Sequence, residues 1–217
     1  MLKHIAACIA LLWAGSVLAA DKTPGLDQIL DGIEKRYAGK GFTADFFQES
    51  MLKAMQITDT AEGRLVVARP AKMRWEYSMP DTQIIITDGE SMWIYRPNDK
   101  QVMVGAAPEF FGGGKGAGFL SDIRQIRKSF KVHQQESQSQ GHYRLRLVPL
   151  KPMPELSEII LSVSRADFQI DQVVTFNSYG DETRIVLSDY RFDIDPDMAL
   201  FNFKIPEGVE VVPLETP

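Results

Sequence analysis

The side chains with catalytic potential are few and scattered. His133 and His142 bracket a polar stretch, with no carboxylate or hydroxyl at a spacing that makes a relay, and no Gly-x-Ser-x-Gly turn occurs. The one cysteine, Cys8, lies in an apolar N-terminal run, so no thiolate and histidine set stands ready for a metal. Asp167, Asp171, Asp181, Asp189, Asp193, Asp195 and Asp197 fall in turn-like positions, where acids are solvated. A glycosidase-type pair needs two acids facing one substrate, and no pair is singled out. The segment GAAPEFFGGGKGAG (105–118) invites a phosphate-loop reading. The order Gly-x-x-x-x-Gly-Lys-Ser/Thr is absent and no buried strand runs straight into it, so a flexible loop carrying the pair Phe110-Phe111 near a site mouth is expected. The chain therefore reads as no enzyme, with no metal and no cofactor.

Apolar binding is the chemistry that the residue pattern favours. Between Gly63 and Tyr95, Met73, Trp75 and Tyr77 alternate strictly with Lys72, Arg74 and Glu76, the signature of a half-buried strand. Met79-Pro80-Asp81 forms a turn, Gln83 to Thr87 a short strand, and Asp88-Gly89 a hairpin signal before Met92-Trp93-Ile94-Tyr95. Trp75, Trp93, Tyr95, Met73, Met92 and several isoleucines would fill a core or line a cavity, and the pattern alone leaves both open.

The elements that must position these residues begin behind a leader. Lys3, the apolar run Ile5 to Trp13 and the small residues Val17 and Ala19 make residues 1–20 a secretory signal peptide, cleaved after Ala19 or Ala20. No cysteine stands at the cleavage point, so no lipid anchor is expected, and residues 21–217 form a single domain. Loss of Lys3 leaves 23 basic side chains (24 less Lys3) against 29 acidic ones. That balance excludes a nucleic-acid or anionic-membrane binder and fits a freely diffusing periplasmic monomer.

Leu26, Ile29, Leu30, Ile33 and Tyr37 recur at helical spacing behind Thr23-Pro24, with Gly39 and Gly41 ending the pattern. Phe42, Ala44 and Phe46 start the first strand, and Phe47 breaks its alternation. Phe119, Leu120, Ile123, Ile126 and Phe130 predict a second helix, and 134–140 a solvated connection. Four further strands follow at hairpin spacing (142–150, 158–164, 168–177, 183–191). The fold class is mainly β with α: an antiparallel sheet of about ten strands, with two or three helices.

The order of motifs resembles the LolA family of periplasmic lipoprotein carriers. Phe42-Thr43-Ala44-Asp45-Phe46 with Gln48 follows the first helix; Gly63-Arg64-Leu65 leads to Arg69-Pro70, Trp75-Glu76-Tyr77 and Pro80. Asp88-Gly89 precedes Trp93-Ile94-Tyr95 and Gln101-Val102, and Phe201-Asn202-Phe203, Pro206 and Gly208-Val209-Glu210-Val211 close the chain. The resemblance covers nearly all of the mature chain. It implies an incomplete antiparallel β-barrel with a hydrophobic cavity capped by helices. It also implies transfer of triacylated lipoproteins from an inner-membrane ABC transporter to an outer-membrane receptor, LolB. Expected acyl-chain contacts are Phe46, Met73, Trp75, Tyr77, Ile84, Ile86, Trp93 and Tyr95. The expected lid carries Leu26, Ile29, Ile33, Phe119, Leu120 and Ile123. Arg69 holds that lid shut through backbone carbonyls, as the family's arginine before the first-sheet proline does. Met73 stands where a phenylalanine is familiar, and the 112–118 loop is unusually rich in glycine. Divergent relatives with this fold carry other exported lipids or sense lipoproteins in stress signalling.

Overall fold

The computed structural model describes residues 24–111 and 117–214; the leader (1–20) and the glycines at 112–114 and 116 lie outside the described residues. Helix α1 (Leu26–Arg36) leads into β1 (Gly41–Leu52) and β2 (Ile57–Ala68). Strands β3 (Lys72–Met79), β4 (Gln83–Thr87), β5 (Ser91–Arg96) and β6 (Gln101–Ala106) follow as hairpins. Then come a one-turn helix α2 (Ala107–Phe111), a 3-10 turn (Gly118–Leu120) and α3 (Gln125–Ser129). The chain continues through β7 (Phe130–Gln135), β8 (His142–Pro149), β9 (Glu158–Ser164), β10 (Ile170–Phe176) and β11 (Glu182–Phe192). A 3-10 turn (Met198–Phe201) and β12 (Glu210–Pro213) close it.

The strands form one curled sheet in the order β12-β6-β5-β4-β3-β2-β1-β11-β10-β9-β8-β7. All neighbours are antiparallel except β12 and β6, which run parallel. The sheet is an open half-barrel rather than a closed one. Two local readings change. Phe130 starts β7 rather than ending a helix, and Ala107 to Phe111 is helical rather than loop. The apolar residues at 119, 123 and 126 recur at helical spacing because a 3-10 turn and a short helix share one buried side, with a turn between them.

Registered pairs place side chains on one face across the sheet. Phe42, Phe46, Leu65, Val67, Met73 and Trp75 thereby join Leu145, Leu147, Ile159, Leu161, Val163 and Val173 in one inner core. Against it lie Ile29, Leu30 and Ile33 of α1, and Phe119, Leu120, Ile123 and Ile126 of the segment after α2, all buried.

Tyr37 fixes the end of α1. Its hydroxyl accepts from Ile170 N–H at 3.0 Å and meets the Tyr190 hydroxyl at 3.2 Å, and Tyr190 donates to the Ile170 carbonyl at 2.8 Å. Burial pushes the Tyr37 phenol up to about 12 and the Tyr190 phenol well above its usual range, so both stay protonated as donors. Gly32 is required on the same helix. A Cβ there would stand 2.5 Å from the Phe168 ring, which seats α1 against the β9–β10 turn.

The outer face has its own cover. After β11 the chain crosses outside the sheet, burying Phe201 against Val66 and Ala68, while Arg74 Nη1 donates to the Leu200 carbonyl at 3.2 Å. Phe203 then packs on Trp93 and Tyr95, at ring centroid separations of 6.2 and 5.4 Å, before β12 joins β6. This strap binds the outside of β2 to β5 to the free edge of the sheet.

Candidate functional site

The inner face and the helices laid over it form the candidate site. α1 and the segment 118–129 bury their apolar sides in the concavity, so most of it is filled by the chain itself. An apolar cavity of about 140 Å³ remains, lined by Trp75, Tyr77, Ile85, Ala117 and Ile185. A void near 150 Å³ holds a benzene-sized guest, so this space as it stands takes an apolar group of about that size. Beyond it the inner face continues through Ile94 and Met103, which the register sets beside Ile85 and which are half-buried. The wall is thus apolar and incompletely covered on the β3–β6 side.

Tyr77 marks the border between this apolar floor and the polar end of the sheet. Its hydroxyl donates to Gln48 Oε1 at 3.1 Å, and burial pushes its phenol up to about 12. Two wider concavities, about 840 and 910 Å³, open to solvent elsewhere. The first lies mostly on the outer face, among Asp45, Phe47, Arg64, Glu76, Ile84 and Val186. The second lies at the strand-turn end, among residues such as Ser50, Asp59, Asp81 and Asp99. The first mixes apolar side chains such as Phe47, Ile84 and Val186 with charged ones, and the polar wall of the second suits water and peptide better than hydrocarbon.

Of the expected acyl-chain contacts, Phe46, Met73, Trp75 and Tyr77 share the inner face, with edge-on ring contacts of Phe46 to Trp75 and to Tyr77 at 4.9 Å each. Ile84, Ile86, Trp93 and Tyr95 do not. They pair with Glu76, Arg74, Ile86 and Ile84 respectively, on the outer face, and the strap covers the two aromatic rings. The inner residues are their neighbours Ile85 and Ile94. Both faces are apolar here, the outer one under the strap and the inner one as the cavity wall, and a one-residue slip in parity then leaves no trace in hydrophobicity. Among the expected lid residues, Ile29, Ile33, Phe119, Leu120 and Ile123 come together over the inner face, with Leu26 partly buried beside them.

Arg69 shares a small crevice with Arg36 and Tyr37 at the end of α1, and feels the charges of Asp122 and Arg124. Its Nε and Nη2 are buried and have no hydrogen-bond partner among the described residues, so the carbonyl contacts implied by the resemblance are not among the bonds these atoms make. Desolvation holds its guanidinium below the usual arginine value, against the opposing pull of Asp122. The histidine that looked isolated in sequence has partners: His142 Nε2 lies 2.8 Å from Asp171 and Nδ1 3.0 Å from the Ser139 hydroxyl. These polar groups stand at the partly exposed end of β8, apart from the apolar floor. Among the described residues no group of three or more His, Cys, Asp or Glu side chains is placed to hold a metal ion.

Comparison with known proteins gives the same frame. Residues 38–204 match the family model described as outer membrane lipoprotein carrier protein LolA. An outer-membrane lipoprotein carrier protein of Chromobacterium violaceum is 32% identical over 206 residues, spanning 93% of this chain and 96% of that protein. One of Hahella chejuensis is 27% identical, over 94% of each chain. The crystal structure of an uncharacterised conserved protein from Thermus thermophilus superposes with a TM-score of 0.56 at 12% identity, covering 87% of this chain and 98% of that one, a likeness of fold alone. With most of its length under that family model, and helices laid over an open half-barrel, the chain belongs to the LolA family of outer membrane lipoprotein carrier proteins.

Proposed function

We propose that this chain is a soluble periplasmic carrier: it receives triacylated lipoproteins from an inner-membrane ABC transporter and delivers them to an outer-membrane receptor of the LolB kind. The observation that carries this reading is the apolar inner face roofed by the chain's own α1 and 118–129 segment. Their side chains occupy the space that acyl chains would take. Each buried methylene gains about 0.8 kcal/mol, so lipidated cargo crosses water only inside such a host. The gain on the order of 13 kcal/mol for a chain of about 16 methylenes would also make release slow. A carrier solves this by having a good empty state: Phe119, Leu120 and Ile123 return to the floor when cargo leaves, and their burial offsets the lost acyl contacts.

Arg69 adds to release through the further desolvation that cargo imposes on it. In the empty protein Arg69 is only partly buried, and hydrocarbon lying over it strips the water it still reaches, a cost of about 1–3 kcal/mol borne by the loaded state. Arg69→Leu removes that cost. The variant is expected to fold with a melting temperature at or above that of the wild type, and to release bound lipoprotein to acceptor vesicles roughly 5- to 150-fold more slowly. Equal release rates would remove Arg69 from the mechanism.

The test of the function itself is native mass spectrometry of protein purified from its own periplasm. A retained mass equal to a triacylated lipoprotein is the expected result. A retained diacyl or glycolipid mass would redirect the carrier to another exported lipid. A clean protein mass, with no uptake of an apolar fluorophore, would overturn the carrier reading in favour of a lipoprotein-sensing domain.

A further inference from the structure

The two halves of the roof come from distant parts of the chain, α1 at its start and the 118–129 segment near its middle. Their apolar sides meet in the shared core. Among the described residues, Arg127 is the side chain that hydrogen-bonds from one to the other. Arg127 Nε donates to Glu34 Oε1 at 2.7 Å, Nη1 to Asp27 Oδ1 at 2.9 Å, and Nη2 to both the Asp27 carbonyl at 3.1 Å and Asp31 Oδ1. Asp27, Asp31 and Glu34 stand at i, i+4 and i+7, which puts all three carboxylates on one side of the helix. Without a cation between them they would repel. The planar fork of arginine serves three carboxylates and a carbonyl at once, which a lysine ammonium on its flexible stem does less well.

We infer that Arg127 is a positioning residue for lid opening: it clasps α1 to the 118–129 segment, so that the two roof pieces lift from the inner face together. The inference rests on the carrier reading above. Apart from Arg127, what joins the two pieces to each other is the non-directional apolar core, which lets them slide, whereas Arg127 fixes their relative position; α1 is separately anchored to the sheet by Tyr37 and by Arg36 with Asp167. The clasp is also a contact that salt weakens. The Arg127 side chain is 33% exposed, and Asp27 and Asp31 are 87% and 73% exposed, within reach of screening ions. Single exposed ion pairs count for little. This set differs in that one guanidinium neutralises three acids, and its loss leaves them facing one another.

The test compares wild type, Arg127→Met and Arg127→Lys as full mature proteins, with two readouts. One is the rate of uptake of the apolar fluorophore N-phenylnaphthylamine at low and at high NaCl, about 10 mM and about 500 mM, which bracket the range over which screening acts. The other is the distance between spin labels at Lys35→Cys and Lys128→Cys, exposed positions outside the clasp. Wild type is expected to take up the dye about three- to tenfold faster at high salt. Arg127→Met should be fast at both, Arg127→Lys intermediate, and the label distance should broaden only in the methionine variant at low salt. Equal rates in wild type and Arg127→Met at low salt, with unchanged label distances, overturn the clasp while dye uptake leaves the carrier reading standing. Absence of dye uptake from every variant, with label distances that still separate, supports the clasp and counts against the carrier reading.

Discussion

Ile85→Glu is expected to abolish uptake of an apolar ligand, whereas Ile84→Lys, one residue earlier on the same strand, is expected to leave it unchanged. Ile85 lines the inner cavity with Trp75, Tyr77, Ala117 and Ile185. It is half-buried in the unloaded protein, so a carboxylate there still reaches water when the site is empty and the fold survives. An acyl chain entering the cavity strips that water away, and an unpaired charge in hydrocarbon surroundings costs several kcal/mol. A loss of about 3 kcal/mol weakens binding by more than roughly 100-fold. Ile84 faces outward, in register with Glu76, where a lysine gains an opposite charge. Fluorophore titrations of the two variants, with circular dichroism as a check on strand content, decide the matter. If the lysine at position 84 is the one that destroys binding, the facing of β4 described above is wrong.

Gly63→Val should prevent folding, or lower the melting temperature by about 10 °C or more, from a cost of at least ~4 kcal/mol. A Cβ at Gly63 would stand 1.9 Å from the Glu76 carbonyl oxygen and 2.8 Å from its carbon, both backbone atoms of the neighbouring strand. Backbone of a paired strand cannot swing aside as a side chain does, so β2 and β3 would have to part at the register shift between Glu62 and Gly63. The ring of Phe46 also lies over the glycine, 2.9 Å from where the Cβ would be, so the new side chain displaces a residue of the cavity floor. Thermal unfolding measures the effect; a melting temperature within about 3 °C of wild type would show that the strands tolerate the insertion.

How much of this was legible in the sequence follows from which contacts are local. The alternation Met73, Trp75, Tyr77 was readable because the opposite face of β3 carries Lys72, Arg74 and Glu76, and water on one side leaves a polar record. It failed on β4 and β5 because the strap, contributed about a hundred residues later, dries the other side as well. Strand β7 was read partly as helix and partly as solvated loop: Phe130 continued a helical spacing, and Lys131, His133, Gln134 and Gln135 are exposed at the sheet's edge. No local pattern marks Arg127, since its acids lie about a hundred positions away. The orphaned donors of Arg69 could not be foreseen from composition, because a missing partner is a property of packing. The order of short motifs did carry the family, since it records the whole topology at once.

The two halves of the sheet meet where β1 pairs with β11, with Phe42 across from Phe192, and the edge is finished only by β12 against β6. Neither seam exists until almost the entire polypeptide has been made. Until β11 arrives, β1 to β6 stand as a meander of local hairpins with β1 as an open edge. Pairings separated this widely in sequence also form slowly. The same topology that builds an open bowl therefore joins its two halves late. It also leaves a long interval in which its apolar strands are exposed to strangers.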